Sequence, residues 1–116
     1  MTEERFILCN KTTDVNFDGI YYDWIRNGRK RQTIRTPPKR WDVIKGDIVT
    51  AHFTGSDKTL QLLIEKTGYK SFKNLSRIDA ELEGFDSVGE LKDALLIYYP
   101  NLIPENRVYY YRFHMI

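Results

Sequence analysis

The apolar positions of this chain come in short blocks separated by polar and turn-forming residues, and the spacing inside each block predicts an element. Arg5-Phe6-Ile7-Leu8-Cys9 suits a first strand, and the polar stretch from Asn10 to Asn16 reads as a loop. From Phe17 onward, Ile20, Tyr21, Trp24 and Ile25 recur at helical spacing, and Gly28 supplies a C-terminal stop. Lys30 to Arg35 reads as a short strand before the turn Thr36-Pro37-Pro38. Ile48 to Phe53 is a further strand, and the turn residues Thr54 to Asp57 invite a hairpin whose return strand is Thr59 to Thr67. Its leucines fit a helix nearly as well; the flanking glycines Gly55 and Gly68 decide for a strand.

Helical signals then take over. Asn74 or Ser76 caps a short acidic helix through Ala80 and Leu82, and Ser87 with Glu90 forms a capping-box pattern ahead of Leu91, Ala94, Leu95 and Tyr98. Pro100 ends that helix, and the aromatic segment from Arg107 to Ile116 reads as a closing strand. The order predicts an α+β domain: a small mixed β-barrel of about five to six strands with two to three flanking helices. Residues 1–116 form one domain, with 1–16 as an N-terminal extension.

Composition narrows the class. At 116 residues, 41% apolar and 29% charged, the chain is long enough for one core and needs no metal or disulfide staple. Its longest apolar run, Ala94 to Tyr99, is far below the roughly 20 residues that cross a bilayer. Glu3 and Glu4 stand where a signal peptide carries bases, which argues against secretion. One cysteine, Cys9, and two separated histidines, His52 and His114, provide no zinc-ligand spacing. The expectation is a cytoplasmic protein without metal, cofactor or membrane association, with a monomer favoured.

Charge changes the picture more. The sum is only +2, but Arg26 to Lys45 holds eight bases and the single acid Asp42, a local +7, while six acids crowd residues 79–93. A base cluster this dense attracts phosphates or an acidic patch of the same protein, and charge alone leaves both open. Within it, Gly28-Arg29-Lys30-Arg31-Gln32-Thr33-Ile34-Arg35 follows a helix end, where a glycine turn brings N–H groups and bases together. It is not a Walker loop, because no glycine-rich run precedes the lysine. Taken alone it reads first as a basic surface turn.

Ile25-x-x-Gly28-Arg29-Lys30-x-x-Thr33-Ile34-Arg35, then Lys45-Gly46-Asp47-Ile48-Val49, then Asp79-Ala80-x-x-Glu83-Gly84-Phe85 with Glu90-Leu91, and an aromatic closing strand, together resemble the ASCH domain, a PUA-like fold. The resemblance spans roughly residues 17–116, and within that family it is nearest to the small N(4)-acetylcytidine amidohydrolases. It implies a PUA-like barrel with a cleft for RNA or a modified nucleoside. It also implies Lys30 as proton acceptor, Thr33 as nucleophile and Glu83 as proton donor. Glu81 competes with Glu83 as the matching acid.

A lysine serves as base only if burial or neighbouring cations lower its pKa, and Arg29, Arg31 and Arg35 are such neighbours. In a regular strand Lys30 and Thr33 would point to opposite faces, so a shared cleft requires Lys30 to lie in the turn. Arg29, Arg31, Arg35, Lys39 and Arg40 are candidates to bind a nucleoside or nucleic acid, with Trp41 as a stacking partner from its basic loop. Trp24 reads as buried packing, the run Tyr109-Tyr110-Tyr111 alternates inward and outward, and His52 and His114 read as satisfied strand residues. The leading expectation is an amidohydrolase acting on N(4)-acetylcytidine or a related base; the alternatives are a non-catalytic RNA-binding module, an ASCH-type ribonuclease, or a basic face that meets an acidic protein.

Overall fold

The computed structural model describes residues 13–116. The strand expected at Arg5 to Cys9 lies outside them. In chain order the elements are β1 (Thr13–Phe17), α1 (Tyr21–Arg26), β2 (Gln32–Arg35), β3 (Ile48–Phe53), β4 (Thr59–Ser71), a single 3-10 turn (Phe72–Asn74), α2 (Arg77–Glu83), α3 (Val88–Tyr98) and β5 (Arg107–Met115). The five strands among the described residues form one sheet in the order β1-β3-β4-β5-β2, with β1 parallel to β3 and every other pair antiparallel. The sheet is curled into a half-barrel, the α+β, PUA-like architecture expected.

Two sequence expectations change. The polar stretch read as a loop becomes strand β1 from Thr13, so Thr13 to Asn16 belong to the sheet. An edge strand needs only one buried face, and Val15 and Phe17 alone supply it. The return strand does not stop at Gly68 but runs on to Ser71. Gly68 serves there as a crossing point: a Cβ on it would lie 2.4 Å from the Tyr110 hydroxyl oxygen.

The closing strand feeds two cores from its two faces. Tyr111 and Phe113 pack inside the curl with Phe17, Trp41, Val49 and Leu62, while Val108 packs on the other side with Ile34, Ala80, Leu91 and Leu95 under α2 and α3. Ser76, rather than Asn74, caps α2: its side chain accepts from the Asp79 N–H, and the Asp79 carboxylate accepts from the Ser76 N–H at 2.9 Å. Ser87 accepts from the Glu90 N–H at the start of α3, but Glu90 reaches back to the N–H of Asp86, one residue before the position a capping box uses.

Asp79 is fully buried and carries the docking of α2. Gln32 of β2 donates to its Oδ1 at 3.1 Å, Lys70 of β4 to its Oδ2 at 2.8 Å, and Arg112 of β5 lies 3.8 Å away while donating to Gln32 Oε1 at 2.7 Å. Burial pushes the Asp79 carboxyl up, but the bonds from Lys70, Ser76 and Gln32 outweigh it and hold the group below the ordinary carboxylate range. A depressed folded pKa contributes stability above the unfolded value of about 4 and loses it as pH falls through the folded value. Asp79→Ala is expected to cost about 3 kcal/mol in urea unfolding at neutral pH, because Gln32 loses its buried acceptor and two cations lose their partner. Asp79→Asn is expected to flatten the acid side of the stability-versus-pH curve below about pH 4, and an unchanged acid limb would remove Asp79 from this role.

Candidate active site in the seam of the curled sheet

β1 and β2 are the two edges of the sheet, and the curl brings them to face each other across an open seam. A cleft of about 510 Å³ occupies that seam, with Val15 and Phe17 on one wall, Thr33 and Arg35 on the other, and Leu95 and Tyr98 of α3 beside them. Arg35 spans the gap: its Nη2 donates to the Asn16 carbonyl at 2.9 Å, and its guanidinium lies 5.2 Å from the centre of the Phe17 ring and 5.1 Å from that of Trp41. Its Nε is 3.4 Å from Thr33 Oγ1, so the only hydroxyl on this stretch of β2 is held by a cation.

The segment before β2 is clamped onto the C-terminal end of α2. The Arg31 N–H donates to the Leu82 carbonyl at 2.6 Å and Arg29 Nε to the Gly84 carbonyl at 2.9 Å, which satisfies carbonyls that a helix end leaves unpaired. Gly84 closes the helix in the left-handed region at φ 93°, and a Cβ there would come within 2.9 Å of the Trp24 ring. Lys30 and Glu83 meet inside this clamp. Lys30 Nζ is 2.8 Å from Glu83 Oε1, with side chains only 5% and 4% exposed, while Glu83 Oε2 is buried and makes no hydrogen bond among the described residues. The Tyr21 ring lies 4.8 Å from the ammonium.

Burial pushes the Lys30 amine down and the Glu83 carboxyl up, and their mutual attraction opposes both shifts without reversing them. Both shifts bring the two groups' proton affinities closer together than those of an exposed lysine and glutamate.

Lys30 lies in the turn, ahead of the first residue of β2, which is the placement that lets it share a cleft with Thr33. The edge position of β2 does the rest, because a cleft along a free edge is open to residues from both faces. Of the residues named from sequence, the cleft brings together Lys30, Thr33, Glu83, Arg35, Lys39 and Trp41. Glu81 is exposed and pairs with Arg77, so Glu83 is the acid that reaches the cleft.

Arg29, Arg31 and Arg40 lie elsewhere. Arg29 stacks 3.5 Å over half-buried Trp24, Arg31 points to solvent, and Arg40 covers Tyr109 at 4.4 Å. Trp41 is not a free loop aromatic: it is 8% exposed, stacks on Tyr111 with centroids 4.9 Å apart, and exchanges backbone hydrogen bonds with the Tyr111 hydroxyl, so only its edge borders the cleft. His52 and His114 are paired strand residues, with Asp14 at 2.9 Å and Glu65 at 2.5 Å.

Sequence reasoning missed Asp18 and Tyr98 in the lining of the cleft, to which Tyr21, one of the aromatics considered for stacking, also belongs. The Tyr98 hydroxyl donates to the Asp18 carboxylate, tying the end of α3 to the β1–α1 turn, and burial together with that bond pushes the Tyr98 hydroxyl up. The two residues are 80 positions apart, and no local pattern marks such a pairing. Tyr21 had a signal, since helical spacing from Trp24 sets it on the same face of α1.

The fold and the site together define an α+β domain with a curled mixed sheet and a buried lysine–glutamate pair at its seam. Among solved structures this is the fold of an ASCH domain. The ASCH domain from Lactobacillus crispatus JV V101 superposes with a TM-score of 0.80 at 12% identity, covering 99% of this chain and 86% of that one. Hypothetical protein PH0355 gives 0.69 at 19% identity over 91% of this chain and 100% of its own, and protein EF3133 from Enterococcus faecalis V583 gives 0.69 at 17% over 99% and 87%. No family model and no curated protein matches the sequence.

Lys30→Met is expected to cost about 3–5 kcal/mol, because it removes the ion-pair partner of the buried Glu83 carboxyl. The double substitution Lys30→Met with Glu83→Leu is expected to return within about 1 kcal/mol of the parent, or above it, since a buried pair repays little more than its own desolvation. Denaturant unfolding of the single and double variants measures this coupling, and additive losses would show that the two groups do not form a unit.

Proposed function

We propose that the seam cleft hydrolyses an acyl amide on a nucleobase, with N(4)-acetylcytidine as the model substrate. The observation that carries this reading is Glu83: a buried carboxyl at the cleft with one oxygen on Lys30 and the other, Oε2, making no hydrogen bond among the described residues. In its acid form a group so placed is a proton donor at the cleft, and the amide of an acylated cytosine offers a nitrogen that must gain a proton to leave.

In this reading Lys30, in its neutral form, takes the Thr33 proton as Thr33 Oγ1 attacks the acyl carbon. Glu83, in its acid form, gives its proton to the departing nitrogen of cytosine. The carbonyl oxygen gains charge beside Arg35, which already lies at the Thr33 hydroxyl. Lys30 is then an ammonium and Glu83 a carboxylate, 2.8 Å apart, so one proton passing between them restores the starting pair. Water splits the threonine ester in the second half, releasing the carboxylic acid and regenerating Thr33.

A second reading, single-stranded RNA binding without chemistry, draws support from the resting contacts of Thr33. Its hydroxyl is met by Arg35 and not by Lys30, whose amine is occupied by Glu83. Catalysis therefore needs Lys30 to swing toward Thr33 when substrate enters.

Incubation with N(4)-acetylcytidine is expected to release cytidine and acetate, and Lys30→Ala, Thr33→Ala and Glu83→Gln are each expected to lower kcat by about 10²-fold or more. The rate should rise with pH as Lys30 loses its proton and fall again as Glu83 loses its own, with Lys30 titrating below and Glu83 above their ordinary values. In Glu83→Gln the alkaline fall should vanish. Absence of turnover, or turnover that survives Lys30→Ala, overturns the reading.

A further inference from the structure

A second groove adjoins the first. It encloses about 580 Å³, and Tyr98 and Tyr99 line both, so the two form one continuous track around the end of α3. Its lining contains no carboxylate. It offers Arg107, the amides Asn101 and Asn106, and the ring of Tyr109. On the same face of the sheet Tyr69 stands opposite Tyr109 in register, with ring centroids 6.0 Å apart, and Tyr69 is 59% exposed.

Each tyrosine is covered by a guanidinium, Arg40 at 4.4 Å over Tyr109 and Arg107 at 4.1 Å over Tyr69. A guanidinium held over a ring keeps its charge and its N–H donors available, and these suit phosphate oxygens. An exposed tyrosine beside them offers a face for a base. Such alternation of cations and aromatic faces along a groove matches the repeating phosphate and base of one nucleic acid strand. A free nucleoside would fill the cleft and leave this groove unused.

Resting on the reading above, we propose that this second groove holds the nucleotides flanking the base in the cleft, so that the protein acts on a base within single-stranded nucleic acid. Arg107 in the groove and Arg40 beside it over Tyr109 bind its phosphates, and the exposed ring of Tyr69, next to the groove, supports a base.

The test compares kcat/KM for free N(4)-acetylcytidine with that for an RNA heptamer carrying the same base at its centre. The heptamer is expected to be better by about tenfold or more, and the double variant Arg40→Ala with Arg107→Ala to lose that gain while its rate on the nucleoside is unchanged. Equal rates on the two substrates, or a variant that loses both alike, overturns the proposal.

If neither substrate is turned over, the amidase reading fails on its own, and the groove is judged by anisotropy of a fluorescein-labelled, unmodified heptamer, as RNA and as DNA. Wild type is expected to bind with a log–log salt slope of about −0.7 per phosphate contacted, and the double variant to lose about tenfold in affinity and about one unit of slope. Equal affinity of wild type and variant overturns the groove. So does displacement of the heptamer by poly-glutamate at equal charge concentration, which would mark a surface for an acidic protein.

Discussion

The burial of Asp79 is the constraint on which the site depends. A carboxylate with no solvent exposure has to be saturated by donors and cations, and here they come from three different strands: Gln32 of β2 and Lys70 of β4 donate to it, and Arg112 of β5 lies 3.8 Å away. That requirement fixes where α2 lies along the sheet. Glu83 is four residues further on, on the same helix face, and Lys30 is two residues before Gln32. The rung made by Asp79 and Gln32 therefore sets the next one, in which Glu83 meets Lys30. A helix held only by apolar contacts could slide, and the second rung would lose its 2.8 Å geometry.

The same reasoning resolves what the basic segment is for. Three of its cations are consumed within the fold: Arg29 by the Gly84 carbonyl and Trp24, Lys30 by Glu83, and Arg35 by the Asn16 carbonyl. Arg31, Lys39 and Arg40 stay at the surface. A count of charges along the chain cannot separate these two groups, because the separation arises from which residues the clamp around α2 covers. The acidic stretch divides in the same way, with Asp79 and Glu83 inside and Glu81, Asp86 and Glu90 outside.

Much of the fold was legible because its punctuation is local. Ser76 and Ser87 cap helices, Gly84 ends α2, and the glycine-flanked leucines of β4 form a strand. Lys30, Thr33 and Glu83, grouped from the sequence, line one cleft, but their spacing in sequence concealed the clamp that brings them there. What was not legible depends on distant partners. β1 is polar by composition and becomes a strand only because β3 offers its parallel edge. Trp41 looked like an exposed aromatic among bases, and Tyr111, 70 residues later, buries it. The bond between Tyr98 and Asp18 is of the same kind.

The site is built at the expense of stability, and this helps to explain its form. A buried lysine and glutamate gain little beyond what their desolvation costs, and apolar residues of similar size would hold α2 at least as well. An orphaned oxygen on Glu83 adds a further cost that packing does not recover. The Asp79 network shows that this fold can satisfy a buried carboxylate fully when the role is structural. At Glu83, one turn away, it leaves the second oxygen without a hydrogen bond among the described residues. The contrast is between two carboxylates on one helix face, one saturated by the network that positions the helix and one left open beside the cleft.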